Sequence, residues 1–254
     1  ARIPSDLDSG GAALRAGPVA PAEPEPAVPP PPAAQAQGAP PVVALPMPAR
    51  MRYEVVASRF GVALHGEADL HWRHDGSQYE ARLEVRSSLF PTRIERSTGR
   101  VTADGLAPEY YWQKGRNEQA THFQRDQGRL TFSNNSPPAP LLPGTQDRLS
   151  VVVQLATLIG GQPDRYPPGT RIVIPTTSTR EAEPWVFSVE GEEELQLPGG
   201  AVRALKLQRR PRKEYDQQVE LWLAPRMDYA PVRLRLTNPN GDTVDQRWSS
   251  TDKG

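Results

Sequence analysis

The chain has no cysteine among its 254 residues. That excludes disulfides, thiolate metal centres, a thiol nucleophile and a lipid-modified cysteine. It has no surplus of either charge, since 30 Lys and Arg face 30 Asp and Glu. A nucleic-acid partner is argued against, because neutralising phosphates demands a basic excess. No window approaches the ~20 apolar residues of a membrane-spanning helix. The familiar reactive signatures are missing too: no Gly-x-Ser-x-Gly elbow, no His-Glu-x-x-His and no phosphate-cradling glycine loop.

The four histidines, His65, His71, His74 and His122, do not make up for this. His71 and His74 are three apart, which on a strand places them on opposite faces. A metal centre needs three or four converging donors, so no metal and no cofactor is predicted. Ser150 stands near Asp147 without a downstream histidine to serve as base, and both residues read as helix-start residues.

Proline is what the chain has in abundance, and 13 of its 29 prolines lie in the first 50 residues. That stretch lacks the periodic apolar content needed to offset the entropy of ordering. Residues 1–50 are therefore expected to be an extended, solvated Pro/Ala-rich tether. Residues 51–250 form a single β-rich domain, and 251–254 a short tail. Deleting residues 1–48 should then leave thermal stability unchanged. The chain begins at Ala1 rather than Met, which fits a removed signal or membrane anchor and equally an artificial start.

Within the domain, "QYEARLEVR" (78–86) alternates strictly, with Tyr79, Ala81, Leu83 and Val85 on one face. The turn residues "HDGS" before it make "GEADLHWR" (66–73) its hairpin partner. Ala68, Leu70 and Trp72 then face in, and Asp69, His71 and Arg73 face out. Further turns fall at "ADGL" (103–106), Pro198-Gly199-Gly200 and Asn240-Gly241. About ten to twelve strands are expected, joined by short connections and hence antiparallel.

One stretch breaks the pattern. "TQDRLSVVVQLATLIGG" (145–161) spaces its apolar residues helically, at Leu149, Val152, Val153, Leu155, Ala156 and Ile159. Thr145 or Asp147 can cap a helix that begins near Arg148 and stops at Gly160-Gly161. The predicted fold is mainly β: a large curved antiparallel sheet, or a partly open barrel, wrapped around one central α-helix. The helix serves either as core or as a movable lid over an apolar cavity. In the core reading, Leu155 and Val152 are both fully buried.

The order of these pieces resembles the family known as domain of unknown function 3108. The matching stretches are "RYEV" (52–55), "DGSQYEARLEVRS" (75–87), "STGRVTADGLAPEYY" (97–111), "TQDRLSVVVQL" (145–155), "VELWLAP" (219–225) and "PVRLRL" (231–236). The resemblance implies an exported, periplasmic protein of the Gram-negative envelope and a mainly β domain. It implies no activity and no catalytic residues. An inner-membrane tether ahead of the domain would agree with it.

Two sets of residues are candidates for contact. Trp72, Tyr79, Leu83, Trp185 and Phe187 are the inward residues expected to line any space left inside the sheet. Trp222 alternates outward with Glu220, so it is either covered by the chain itself, with the 112–145 segment as the expected cover, or free to anchor a partner. Arg209, Arg210, Arg212 and Lys213 in "RRPRKE" (209–214) form either a solvated hairpin loop or a contact for anionic headgroups or a carboxylate-rich partner.

Three functions fit these features. One is a non-catalytic envelope domain holding a lipid or acyl chain. Another is a tethered protein-interaction module with peripheral membrane contact. The third is a hydrolase with a carboxylate pair that the sequence does not identify.

Overall fold

The computed structural model describes residues 42–88 and 91–253; of the tether expected over residues 1–50, residues 1–41 lie outside them. The first half of the domain is a meander. It runs through β1 (Ala49–Arg59), β2 (Val62–His74), β3 (Gln78–Arg86), β4 (Arg93–Thr102), β5 (Gly105–Lys114), β6 (Glu118–Gln124), β7 (Arg129–Phe132) and β8 (Ala139–Pro140). Then come β9 (Gln146–Asp147) and the helix α1 (Ser150–Gly161). A second meander follows: β10 (Arg171–Thr177), β11 (Ala182–Leu197), β12 (Gly200–Arg209), β13 (Gln218–Ala224), β14 (Ala230–Thr237) and β15 (Thr243–Lys253).

The two meanders fuse because the first strand pairs with the last, with Ala49 opposite Lys253 and Ser58 opposite Thr243. The result is one curved, unclosed sheet of 15 strands in the order β8 through β1, then β15 back to β9. Its pairs are antiparallel except β9–β10, which is parallel. The fold class agrees with the sequence, which undercounted the short strands.

The two edge strands, β8 and β9, are separated in the chain only by residues 141–145. No ladder joins them. Side chains instead join β5 and β6 to the β10–β11 turn: Thr121 donates to the Ser178 carbonyl at 2.9 Å, Gln113 to the Thr179 hydroxyl at 2.9 Å, and Thr179 to Gln119 at 2.9 Å. Such a seam leaves the sheet rolled without the backbone bonds that would close a barrel.

The inner face of the sheet is filled by α1. Val151, Leu155, Ala156 and Ile159 pack with Ile172, Phe187, Leu207 and Leu221 of the second meander. Leu149 and Val153 pack with Leu70, Tyr79 and Leu130 of the first. Leu155 is fully buried, but Val152 is only half-buried, which corrects the expectation for that residue. Val152 packs, partly buried, against the second-meander cluster.

Two boundaries also change. Residues 42–48, assigned by composition to the tether, lie on the domain as a strap. The Ala44 amide donates to the Thr157 carbonyl at 3.0 Å, and the Trp72 indole donates to the Pro46 carbonyl at 2.8 Å. The strap passes so close to the helix end that a β-carbon at Gly161 would clash with the Val42 carbonyl. At the other terminus, residues 251–253 belong to β15 rather than to a tail.

A smaller apolar cluster sits on the outer face. At Gly191 (φ 129°) the β11–β12 pairing slips by one residue between Val189 and Gly191. A bulge there bends the strands. The hairpin tip then reaches β15, where the Gly199 amide donates to the Trp248 carbonyl at 3.1 Å. Leu195, Leu197 and Ala204 from this hairpin cover Trp222, Ala224 and Val232.

Two outcomes are expected. Leu155→Ala should cost about 2–5 kcal/mol in denaturant unfolding, whereas Val152→Ala should cost about 1 kcal/mol or less. Removing residues 1–48 should lower Tm by at least about 4 °C relative to removing 1–41, because the strap's bonds to Trp72 and α1 go with it; equal melting curves would show that the strap adds nothing.

Candidate functional site

All five residues expected to line an internal space are buried: Trp72, Tyr79, Leu83, Trp185 and Phe187. Tyr79 and Leu83 pack in the first core cluster and Trp185 and Phe187 in the second, against the helix. Trp72 borders a cavity, whereas the other four pack into the core that α1 fills in the middle of the sheet.

That cavity measures about 470 Å³. Its walls are the strap (Pro46, Met47), the start of β1 (Met51), Trp72 of β2, Val153 of α1 and Met227 in the β13–β14 connection. Three methionines give it a soft lining that adapts to an irregular apolar guest. Arg226 and Asp228 are the charged side chains at its border. The size lies within the range of small-molecule pockets. Nothing in the periodicity marked this place, because its walls come from the strap, a turn, the helix and strands at the two ends of the domain.

A buried polar network lies at the start of α1. Asp147 is fully buried, and its carboxylate accepts from the Leu149 amide at 2.9 Å, the Ser150 amide at 2.7 Å and the Ser97 hydroxyl at 2.6 Å. It therefore caps α1 from two residues before the first turn and ties the helix to β4. The Tyr79 hydroxyl is 2.9 Å from that of Ser97, extending the network to β3. Burial raises the carboxyl of Asp147 to a pKa of about 6, against these hydrogen bonds, which lower it. The Ser97 and Ser150 hydroxyls are buried with it. The cluster can hold a proton near neutral pH, and its serines are sealed from any substrate in solution.

Asp69, expected to face out into solvent, is 3% exposed at its side chain. Arg50 donates to it at 2.9 Å, Arg86 donates to its other oxygen, and Arg52 stands at 3.9 Å. Burial pushes its carboxyl up, but the bonds from Arg50 and Arg86 outweigh this and hold it below the usual range. The side chain does point outward; arginine stems on neighbouring strands roof it over.

The partner-surface candidates divide. Trp222 is buried, so it offers no free anchor. It points outward as parity demands, but the β11–β12 hairpin covers it, not the 112–145 segment. Lys206 and Arg233 lie 5.0 and 4.6 Å from its ring centroid, and its indole donates to Glu193. Arg209 is buried as well, at 1% exposure. Its guanidinium sits 4.5 Å from the Trp185 ring centroid and binds Asp216 at 2.7 Å and Glu183 at 3.0 Å. Arg210, Arg212 and Lys213 are exposed. Among the described residues, no cluster of His, Asp and Glu has the arrangement to hold a metal ion.

Residues 50–246 match the model of the family described as "Protein of unknown function (DUF3108)". The chain belongs to that family. Among curated proteins, none matches it. Among solved structures, it is similar to a beta-barrel-like protein of the domain of unknown function DUF1849 from Brucella abortus. The TM-score is 0.53 at 12% identity, over 82% of this chain and 98% of that one. At that identity the likeness is one of fold. A fainter likeness, TM-score 0.32 at 12% identity, links 80% of this chain with 51% of a chain in the complex of Pseudomonas aeruginosa MucA/MucB. The DUF3108 domain thus shares a rolled, barrel-like sheet with at least one other family.

The Asp147 network sets a pH dependence. Its folded pKa, about 6, lies above the ordinary 3.8, so the folded state holds the proton more tightly than the unfolded chain. Its contribution is most favourable below about pH 4 and declines as pH rises through 6, by about 3 kcal/mol in all at ~1.36 kcal/mol per unit. Asp147→Asn keeps the acceptor for the two amides and removes the titration. The stability of the native protein relative to this variant should fall between pH 4.5 and pH 8 in urea unfolding; a constant difference would contradict a buried ionising carboxyl.

Proposed function

We propose that this DUF3108 domain is a non-catalytic module of the Gram-negative cell envelope that holds an acyl chain in the cavity beside Trp72. The observation that carries the proposal is the cavity itself, about 470 Å³ and walled by Met47, Met51, Met227, Trp72 and Val153. An apolar chain placed there is removed from water at a gain of about 0.8 kcal/mol per methylene. A methionine-rich wall adjusts to a flexible chain without demanding one shape. Arg226 at the border supplies a cation for a carboxylate or phosphate head left at the mouth. The strap is part of the wall, so holding Pro46 against Trp72 also holds the cavity's shape.

Support for an envelope location comes from family membership, since the resemblance implies export. Several arguments favour binding over catalysis. The cavity wall is mostly apolar, and the Asp147–Ser97 pair is not part of it and is closed to solvent. The interaction-module alternative is weakened by the burial of Trp222, which was to be its anchor.

The expected result is saturable binding of the fluorescent fatty acid cis-parinaric acid to the native protein. Met227→Trp, which fills the cavity from its flexible rim, should raise Kd at least about tenfold while leaving Tm within about 3 °C. Leu83→Trp should act differently, disturbing the packed core rather than a vacant site. Absence of a probe signal, or unchanged affinity in Met227→Trp, would remove the acyl-chain reading.

A further inference from the structure

The end of the roll away from the cavity carries a different surface. β1 begins at the cavity and ends, roughly 35 Å away at ~3.3 Å per residue, in the two-residue turn Phe60-Gly61. Both turn residues have positive φ, 52° and 77°. A hairpin turn of this kind favours Asn-Gly or Asp-Gly, since a bulky side chain resists left-handed backbone. Phe60 occupies the first position nonetheless, and its side chain is 81% exposed. Val62, beside it, is 59% exposed. Local conformation does not account for an aromatic at this tip, where the Arg59 guanidinium lies 5.3 Å from the ring centroid.

The tip is also held out firmly. The Phe60 amide donates to Asp242 at 3.0 Å, fixing the turn to the β14–β15 connection. On its other side the ladder of β2 with β3 ends at Glu67 opposite Arg86, and the Ser87 hydroxyl donates to the His65 carbonyl at 3.2 Å. Asn238 in the β14–β15 connection accepts from Gln217 at 2.8 Å, and Gln217 closes the β12–β13 loop. That loop displays Tyr215, 85% exposed. Three hairpin tips therefore form one linked rim. Phe60 and Tyr215 stand about 19 Å apart along it, four strand spacings at ~4.8 Å each.

The charges of the rim are layered. Two of its acids, Glu183 and Asp216, are 21% and 12% exposed at the side chain and face the buried Arg209, Asp242 is half-buried at the Phe60 turn, and Glu214 is exposed beside Tyr215. Its cations project, with Lys213 73% and Arg212 38% exposed at the side chain and Arg59 and Arg210 exposed beside them. Two projecting aromatics flanked by four exposed cations, against the one exposed acid Glu214, match the boundary of an anionic bilayer. There, rings sit at headgroup depth and Arg or Lys meet lipid phosphates.

We infer that the rim formed by the Phe60 and Tyr215 tips docks the domain onto an anionic phospholipid surface. This rests on exposure, turn geometry and charge at one end of the fold, not on the cavity at the other. The orientation has a consequence: a domain so docked points its cavity mouth away from the bilayer that holds it.

The test is vesicle flotation of the full chain with phosphatidylcholine alone and with equal parts phosphatidylcholine and phosphatidylglycerol. The native protein should float with the anionic vesicles, less so in 0.5 M salt, and stay behind with neutral ones. Phe60→Asn with Tyr215→Ser should weaken binding about tenfold or more. Because Asn-Gly suits the turn, Tm should not fall, and parinaric acid binding should be unaffected. Failure of the native protein to float, or equal flotation of the double variant, would overturn the inference. Loss of parinaric acid binding in Met227→Trp with flotation intact would separate the fate of the cavity from that of the rim.

Discussion

A sheet of fifteen strands that is neither closed nor stacked on a second sheet leaves its concave face to be covered, and α1 is what covers it. The helix is only twelve residues long, too short to be stable alone in water. Its side chains gain most from burial, each at about 1.5–3 kcal/mol for a large aliphatic. Helix and curvature are thus interdependent: the sheet rolls far enough to wrap a helix, and the helix exists because the sheet has rolled. The Asp147 carboxylate sits where this dependence is greatest. It satisfies two amides at the helix start and reaches β4 through Ser97, at the cost of placing an ionisable group without a cationic partner in the core.

From that packing follows the location of empty space. A helix of Val, Leu, Ala and Ile fills the middle of the roll but not its whole length. The vacancy falls where α1 presents Val153 and the wall passes to the strap and the β13–β14 connection. The strap has two duties, sealing the fold through Trp72 and the helix end and forming one side of the cavity. A segment that composition groups with a solvated tether is thereby part of the binding wall. At the far end, the hairpin tips carry no core duty, which leaves their residues free to serve a surface.

The outer face shows how charges and aromatics are hidden without a second layer. Asp69 is roofed by arginines from β1 and β3, and Trp222 is held between Lys206 and Arg233 under the bent β11–β12 hairpin. In both places long cationic stems do the covering. Cation–π contact and charge-assisted hydrogen bonds then compensate the groups they shield.

The sequence by itself determined what is local. Strict alternation in Gln78–Arg86 specifies a half-buried strand, and its hairpin with residues 66–73 follows from "HDGS". The helical spacing of Leu149 to Ile159 marks the element that must be inside. Side-chain parity is set by the two-residue period of a strand, so even Trp222 and Asp69 point the way the sequence says. What covers an outward side chain is decided elsewhere. Trp222 is buried because a bulge at Gly191 redirects a hairpin, and Asp69 because strands nearly twenty residues apart bring arginines over it. The union of β1 with β15 joins residues about 200 positions apart. The cavity likewise draws its walls from both termini and the middle of the chain. Periodicity records which face a residue takes, and only the assembled sheet determines what it meets there.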